Sequence, residues 1–282
     1  EYKGKKITKE QLSKSLKKHK KFSRDEKVRI DILDKFGYFS TESNGHLSEY
    51  LPWYRRTQKD VKEWSSLSNW IHGETGGYLR VCNEKRNWFI EDYPKYLKKS
   101  GINLKDYKRS TEHGSYIIEA IETGKKYRGH FNVINKKIIS NLDDDCVIES
   151  TGYVDSKGIK MIEGIKLPLQ CASLCSTSIN VQRMAVKAAV KGDIELLKLS
   201  VLQDPLVSSV CSSEEVWQMV DEMLVAQEKW LPQFKSKISI IKRNLKKIKN
   251  YKYSKAVKGI TKKNKNISQK RSVLVEKEAF NL

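Results

Sequence analysis

Long apolar runs are missing from these 282 residues: the longest stretches, such as CVIESTGYV and EMLVAQ, fall well short of the roughly 20 residues that span a bilayer. No apolar run opens the chain as a signal peptide would, so a cytoplasmic protein with no membrane partner is expected. Cysteine is scarce. Cys82, Cys146, Cys171, Cys175 and Cys211 are odd in number and scattered, which excludes a dense disulfide framework and leaves free thiols. Cys171 and Cys175 share a helical face, but no CxxC pair or HxxxH partner accompanies them, so no metal is assigned to them. A phosphate-binding G-x-G-x-x-G is lacking too, because Gly73, Gly76 and Gly77 have the wrong spacing and no hydrophobic strand before them. There is no internal repeat.

Acidic residues are outnumbered, with 34 Asp and Glu against 55 Lys and Arg and a formal net charge of +21. Most of that excess sits at one end: residues 235–282 carry 16 Lys and Arg against Glu276 and Glu278, a net of +14. Lysine outnumbers arginine by 44 to 11, which suits an A- and T-rich coding bias as readily as selection for phosphate contacts. Only Tyr251, Tyr253 and Phe280 follow Phe234, so stacking platforms for bases are few. Nucleic acid is therefore not the expected partner. A binding protein using its basic tail on nucleic acid or an anionic surface, or a non-catalytic remnant, stands as the alternative to an enzyme.

With 38% hydrophobic residues the chain can bury a core, and its periodicity is mostly helical. Ser23-Arg-Asp-Glu26 reads as a capping box opening a helix with Val28, Ile32, Leu33 and Phe36 inward, stopped by Gly37. Further helices are predicted over 57–71, with Val61, Trp64, Leu67 and Ile71 inward, and over 110–123, stopped by Gly124. Period-two alternation in YRGHFNVIN and again over Cys146 to Val154 gives a short antiparallel unit. Three more helices follow: Leu169 to Gly192, one from Asp193 stopping before Asp204-Pro205, and one opening at Ser212 with Glu215 and facing Val216, Met219, Val220, Met223 and Leu224 inward. The result is an α+β domain over 1–234 and a basic tail over 235–282, helical or disordered.

The segment from Thr41 to Arg56, TESNGHLSEYLPWYRR, packs carboxylates, an imidazole, an amide and three aromatic rings into one loop. Together with Phe36 it reads FGYFSTESNGHLSEYLPWYR, which closely resembles a motif of family 4 glycoside hydrolases, in the α-galactosidase and α-galacturonidase branch. The likeness continues through WIHGETGGYLRVC at 70–82, RSTEHGSYIIEAIETGKKYRGHFNVIN at 109–135, LPLQCASLCSTSINVQRMAVKAAVKGD at 167–193 and DEMLVAQEKWLPQF at 221–234, covering about 1–234. It implies the C-terminal, substrate-side part of a lactate-dehydrogenase-like fold, with the N-terminal Rossmann domain absent from these residues. It also implies NAD and a divalent metal, usually Mn2+, whose cysteine and histidine ligands would lie before Glu1. The chain is accordingly expected to be a fragment, inactive alone, partnered by the NAD-binding N-terminal half and forming a homo-oligomer.

In that family NAD oxidises C3 of the sugar, C2 then loses a proton to a base, and elimination expels the aglycone; such enzymes stand outside the paired-carboxylate scheme of most glycosidases. Since tyrosine is the base in some members, the resemblance points to Tyr50, then His46, whose imidazole suits proton abstraction, then Tyr54. The competing reading stacks the two tyrosines in a wall and lets His46 fix the loop. Glu42, Asn44 and Glu49 either bond sugar hydroxyls or hold the backbone. Trp53 either stacks on a sugar or anchors the core. A uronate would need a guanidinium, for which Arg80, Arg109 and Arg128 are available, Arg109 clustering with Glu112 and His113 at a helix start. His72, His113 and His130 each read as loop or strand packing rather than as ligands. No residue here is assigned to NAD or to metal.

Overall fold

The computed structural model describes residues 7–64, 88–98, 109 and 112–247. In chain order these form α1 (Lys9–Lys18), α2 (Lys20–Asp25), α3 (Lys27–Phe36), α4 (Asn44–Tyr50), α5 (Gln58–Trp64), α6 (Trp88–Lys98) and α7 (His113–Thr123). Strands β1 (Tyr127–Ile134), β2 (Val147–Asp155) and β3 (Gly158–Met161) come next. Then follow α8 (Leu169–Lys191), α9 (Ile194–Gln203), α10 (Pro205–Ser208), α11 (Ser213–Ala226) and α12 (Lys235–Lys247). The class is α+β, with one three-stranded antiparallel sheet of order β1-β2-β3 among the described residues, packed against α7.

The sheet is registered by alternation. Phe131 pairs with Ser150 and Tyr127 with Val154, so Phe131 and Val154 share the inner face against Ala120 of α7. Gly152 is needed there: a Cβ would meet the Lys160 carbonyl oxygen and Met161 Sδ, both at 2.9 Å. Buried Asn135 organises the turn out of β1, its amide donating to the Ile139, Leu142 and Asp143 carbonyls and its oxygen accepting from Ile139 N. Four bonds on one side chain hold a segment in which Lys136 and Lys137 take φ of 40° and 70°.

Glycine ends the helices where expected, with Gly37, Gly124 and Gly192 all left-handed. The opening of α3 differs. Ser23 lies inside α2 and its hydroxyl bonds the Lys20 carbonyl, while Glu26 at the N-cap of α3 makes no side-chain cap. The Ser212–Glu215 capping box is present, and Asp193 caps α9. Asp204 stops α9 and then caps the single turn α10, accepting from Leu206 N and Val207 N. On α11, Val216, Val220 and Leu224 are buried, whereas Met223, at the margin of the same face, is half exposed. Of the helix expected over 57–71, Gln58–Trp64 is described; Leu67 and Ile71 lie outside the described residues.

The first thirteen residues assigned to the basic tail are α12, and they are packed. Ile238 is fully buried among Ile194, Val216, Val220, Leu224 and Phe234, with Ile241 partly buried beside it. Gly192 makes this approach possible: at φ +63, its added Cβ would lie 2.5 Å from the Gln233 carbonyl oxygen just before α12. Ile238→Ala is expected to cost about 2–5 kcal/mol, read from urea unfolding. A loss under about 0.5 kcal/mol, the size of a surface substitution, would return α12 to the status of an appended tail.

Candidate functional site

The candidate loop becomes a short helix because Ser43 caps it, its Oγ accepting from His46 N at 3.3 Å. Glu42 precedes the cap and accepts from Ser43 N at 2.8 Å, while its carboxylate pairs with His46 Nδ1 at 3.1 Å. Spacing of four then places Glu42, His46 and Tyr50 along one side of α4. Tyr50 is 53% exposed and the His46 side chain 50%. The other side of α4 is sealed, with Asn44, Gly45 and Ser48 buried.

That sealed side is polar and hydrogen-bonded. Asn44 Oδ1 accepts from Val28 N at 2.8 Å, supplying the cap that α3 lacks locally, and Asn44 Nδ2 donates to the Trp64 carbonyl at 3.1 Å. One amide thus joins α3, α4 and the end of α5, and its place is beneath the site rather than on its surface. Asn44→Ala is expected to cost about 2–4 kcal/mol, since it strands a buried N–H and a buried C=O. Asn44→Asp keeps only the acceptor and should lose part of that; equal stability of both variants with the parent in chemical denaturation would remove Asn44 from this role.

Ser48 Oγ donates to the Gly45 carbonyl at 2.5 Å and accepts from Arg55 Nε at 2.8 Å, while Arg55 Nη2 stands 3.5 Å from Glu49. Burial pushes the Glu49 carboxyl up, and the Arg55 and His46 charges oppose it. The Tyr50 phenol is likewise raised by burial and then by the negative charges of Glu42 and Glu49. Tyr54 is buried, its hydroxyl donating to Asp31 Oδ2 at 2.8 Å, and burial, then that bond, hold it firmly as the phenol. Its ring is edge-on to Trp64 at 5.0 Å and to Trp53 at 6.2 Å, and Trp53, 42% exposed, leans on Phe36 at 5.9 Å. Trp53 is thus anchored on Phe36 and Tyr54 and still partly exposed.

Arg109 and His113 belong to a second group, at the start of α7. Arg109 donates to Ser115 Oγ at 2.9 Å, pairs with Glu119 and lies 3.6 Å over the Tyr116 ring. Tyr116 stacks on Tyr127 at 5.2 Å, and the Tyr127 hydroxyl meets His113 Nδ1 at 2.5 Å. Glu112 is the N-cap residue of α7 and makes no capping bond. Arg80 and His72 lie outside the described residues. Sequence reasoning missed Asp31, Ser48 and Arg55. Asp31 alone left a signal, as a carboxylate between Ile30 and Ile32 in an apolar helix.

Among the described residues no group of three or more His, Cys, Asp or Glu is disposed to hold a metal ion, and no helix is long and apolar enough to cross a membrane.

The family model described as the family 4 glycosyl hydrolase C-terminal domain matches residues 1–207. An alpha-galactosidase of Rhizobium meliloti (strain 1021) is 57% identical over 242 residues, 86% of this chain and 49% of that protein. An alpha-galactosidase of Bacillus subtilis (strain 168) is 32% identical over 227 residues, 80% of this chain and 50% of that protein. A solved Bacillus subtilis structure described as a glucosidase superposes with TM-score 0.57 at 23% identity, over 70% of this chain and 42% of the other. A 6-phospho-alpha-glucosidase from gut microorganisms, in complex with NAD and Mn2+, gives TM-score 0.54 at 14% identity over 80% and 51%. Both structures speak to the fold alone. The chain spans about half the length of the curated relatives it matches.

Proposed function

We propose, from the premise that this chain belongs to the family 4 glycosyl hydrolases, that its residues form the sugar- and proton-handling part of a glycosidase acting on α-galactosides. The observation that carries this reading is the outward side of α4, where a phenol, an imidazole and two carboxylates sit together above a locked polar underside. Glu42 and Glu49 suit sugar hydroxyls as acceptors, and the exposed part of the Trp53 indole suits the C–H side of the ring. An α-galactoside is favoured over an α-galacturonide because both relatives described above, at 57% and 32% identity, are named alpha-galactosidases.

NAD and a divalent metal, usually Mn2+, are proposed as cofactors on the family resemblance; when bound they supply hydride exchange at C3 and positive charge beside the sugar oxygens. The described residues do not fit either group: they carry no metal-ligating cluster, and the chain has no phosphate loop. The proposed holder of both is the NAD-binding half of the enzyme. To this chain we assign Tyr50 as the base that takes the C2 proton, with His46 and then Tyr54 as the alternatives, Glu42, Glu49 and Trp53 as the sugar-side wall, and Arg109, Glu112 and His113 as a second substrate-side group at the start of α7, Asn44 holding α4 from below.

The test is carried out on an enzyme that joins these residues to the half of the relatives' length unmatched here. Hydrolysis of p-nitrophenyl α-galactoside in D2O is expected to require NAD and Mn2+ and to yield galactose deuterated at C2. Turnover without NAD and with the C2 proton retained would sink the proposal.

A further inference from the structure

The outward side of α12 has no part in the glycosidase reading. This helix carries Lys235, Lys237, Lys242, Arg243, Lys246 and Lys247 and no acidic residue. Ile238 and Ile241 pin it to the core, so its orientation is set by packing. Arg243, Lys246 and Lys247 lie eight, eleven and twelve residues from Lys235, which gathers the four within about a third of the helix circumference. Lys242 pairs with Glu228 at 3.2 Å, and Lys237 donates to the Gly192 carbonyl at 2.9 Å. Among the described residues Lys235, Arg243, Lys246 and Lys247 form no ion pair, and all four are exposed. Paired cations are neutralised in place; these four present uncompensated charge along about 18 Å of rigid helix.

We infer that this face of α12 binds the phosphate backbone of duplex nucleic acid, without reading its sequence. The duplex is favoured by linear charge density, one negative charge per about 1.7 Å of axis, so that each lysine or arginine laid against it releases condensed counterions. A lipid surface fits less well. An interfacial helix buries an apolar face in the bilayer, and here Ile238 and Ile241 are committed to the protein core. Base stacking is not called for either, as α12 contains no aromatic side chain. The inference reverses the expectation drawn from composition, because the structure turns the first part of a charge run into an ordered cationic face.

The experiment uses the full chain and a fluorescein-labelled 20-base-pair duplex of arbitrary sequence, with anisotropy recorded from 50 to 200 mM salt. A second protein carries Lys235→Gln, Arg243→Gln, Lys246→Gln and Lys247→Gln, which leaves the cations of 248–282 in place and so isolates the helix. A third exchanges lysine and arginine at the same four positions. The slope of log affinity against log salt is expected to become shallower by roughly 3.6 in the glutamine protein, at about 0.9 per lost contact, and to be unchanged in the exchange protein. Unfolding midpoints of all three report that the fold is retained. An unchanged slope in the glutamine protein, no duplex binding by the parent at 50 mM salt, or tighter binding to phosphatidylserine vesicles than to the duplex would overturn the inference.

Discussion

Given NAD, Mn2+, a reductant and p-nitrophenyl α-galactoside, the purified 282 residues are expected to release no p-nitrophenol. Oxidation at C3 needs a nicotinamide held against that carbon, and a nicotinamide is held by a dinucleotide-binding fold with a glycine-rich turn at a helix start. The sequence offers no such turn. The metal needs ligands that keep it beside the sugar oxygens, and the described residues offer no suitable cluster. Carboxylates at Glu42, Glu49 and Glu112 can attract a cation, and Trp53 can contact a sugar, but neither contact removes a hydride. Adding the part of the Rhizobium meliloti alpha-galactosidase that this chain leaves unmatched, about half of that protein's length, should restore turnover. Two results bear on the argument. Turnover by the isolated chain would show a hydrolytic site built on its own carboxylates, in the manner of other glycosidases. Turnover in the mixture alone, lost again when NAD is withheld, is the expected pattern.

Local signals carried most of the fold. Glycine at φ > 0 ends α3, α7 and α8, and each was legible as a stop because no other residue takes that conformation cheaply. The sheet was legible because alternation in β1 and β2 leaves Phe131 and Val154 on one face. What failed depended on partners far along the chain. Nothing near Glu26 announces that Val28 in the first turn of α3 is capped by Asn44, 16 residues away, or that the same amide reaches Trp64, 20 residues on. Ser23 looked like the cap because spacing alone fits a capping box, yet α2 claims it as an interior residue. Ile238 was hidden by composition: a lysine-rich stretch has low mean hydropathy even when one isoleucine in it is wholly buried.

The site was legible as a cluster and poorly legible as a set of roles. TESNGHLSEYLPWYRR announced the chemistry, but which side chains face outward is decided by the period of α4. That period sends Asn44 and Ser48 inward and leaves His46 and Tyr50 outward. The turn after α4 then decides the rest, carrying Tyr54 under the loop to Asp31 and bringing Arg55 back to Ser48. Neither Asp31 nor Ser48 carries a motif of its own; each is recognisable only once the chain is folded.

In an enzyme joining this chain to the proposed NAD-binding half, Tyr50→Phe is expected to abolish exchange of the C2 proton with solvent, with NAD affinity unchanged. A base must come within about 3 Å of the proton it takes, so it must be reachable by substrate, and Tyr50 is 53% exposed where Tyr54 is buried. Electrostatics set the pH dependence. Burial and then the charges of Glu42 and Glu49 raise the Tyr50 phenol above its ordinary value, so within these residues the neutral form is favoured and the base form is reached only as pH rises. Exchange should therefore grow with pH on its acid side, and Glu49→Gln, which removes one of those negative charges, should move that rise to lower pH. His46 makes the competing case, since Glu42 fixes its Nδ1 and leaves the other ring nitrogen for the substrate. The variants separate the candidates. Exchange that survives Tyr50→Phe and vanishes in His46→Gln moves the role to the imidazole. Exchange that vanishes only in Tyr54→Phe means that the bond to Asp31 opens when substrate binds, and that the buried phenol does the work.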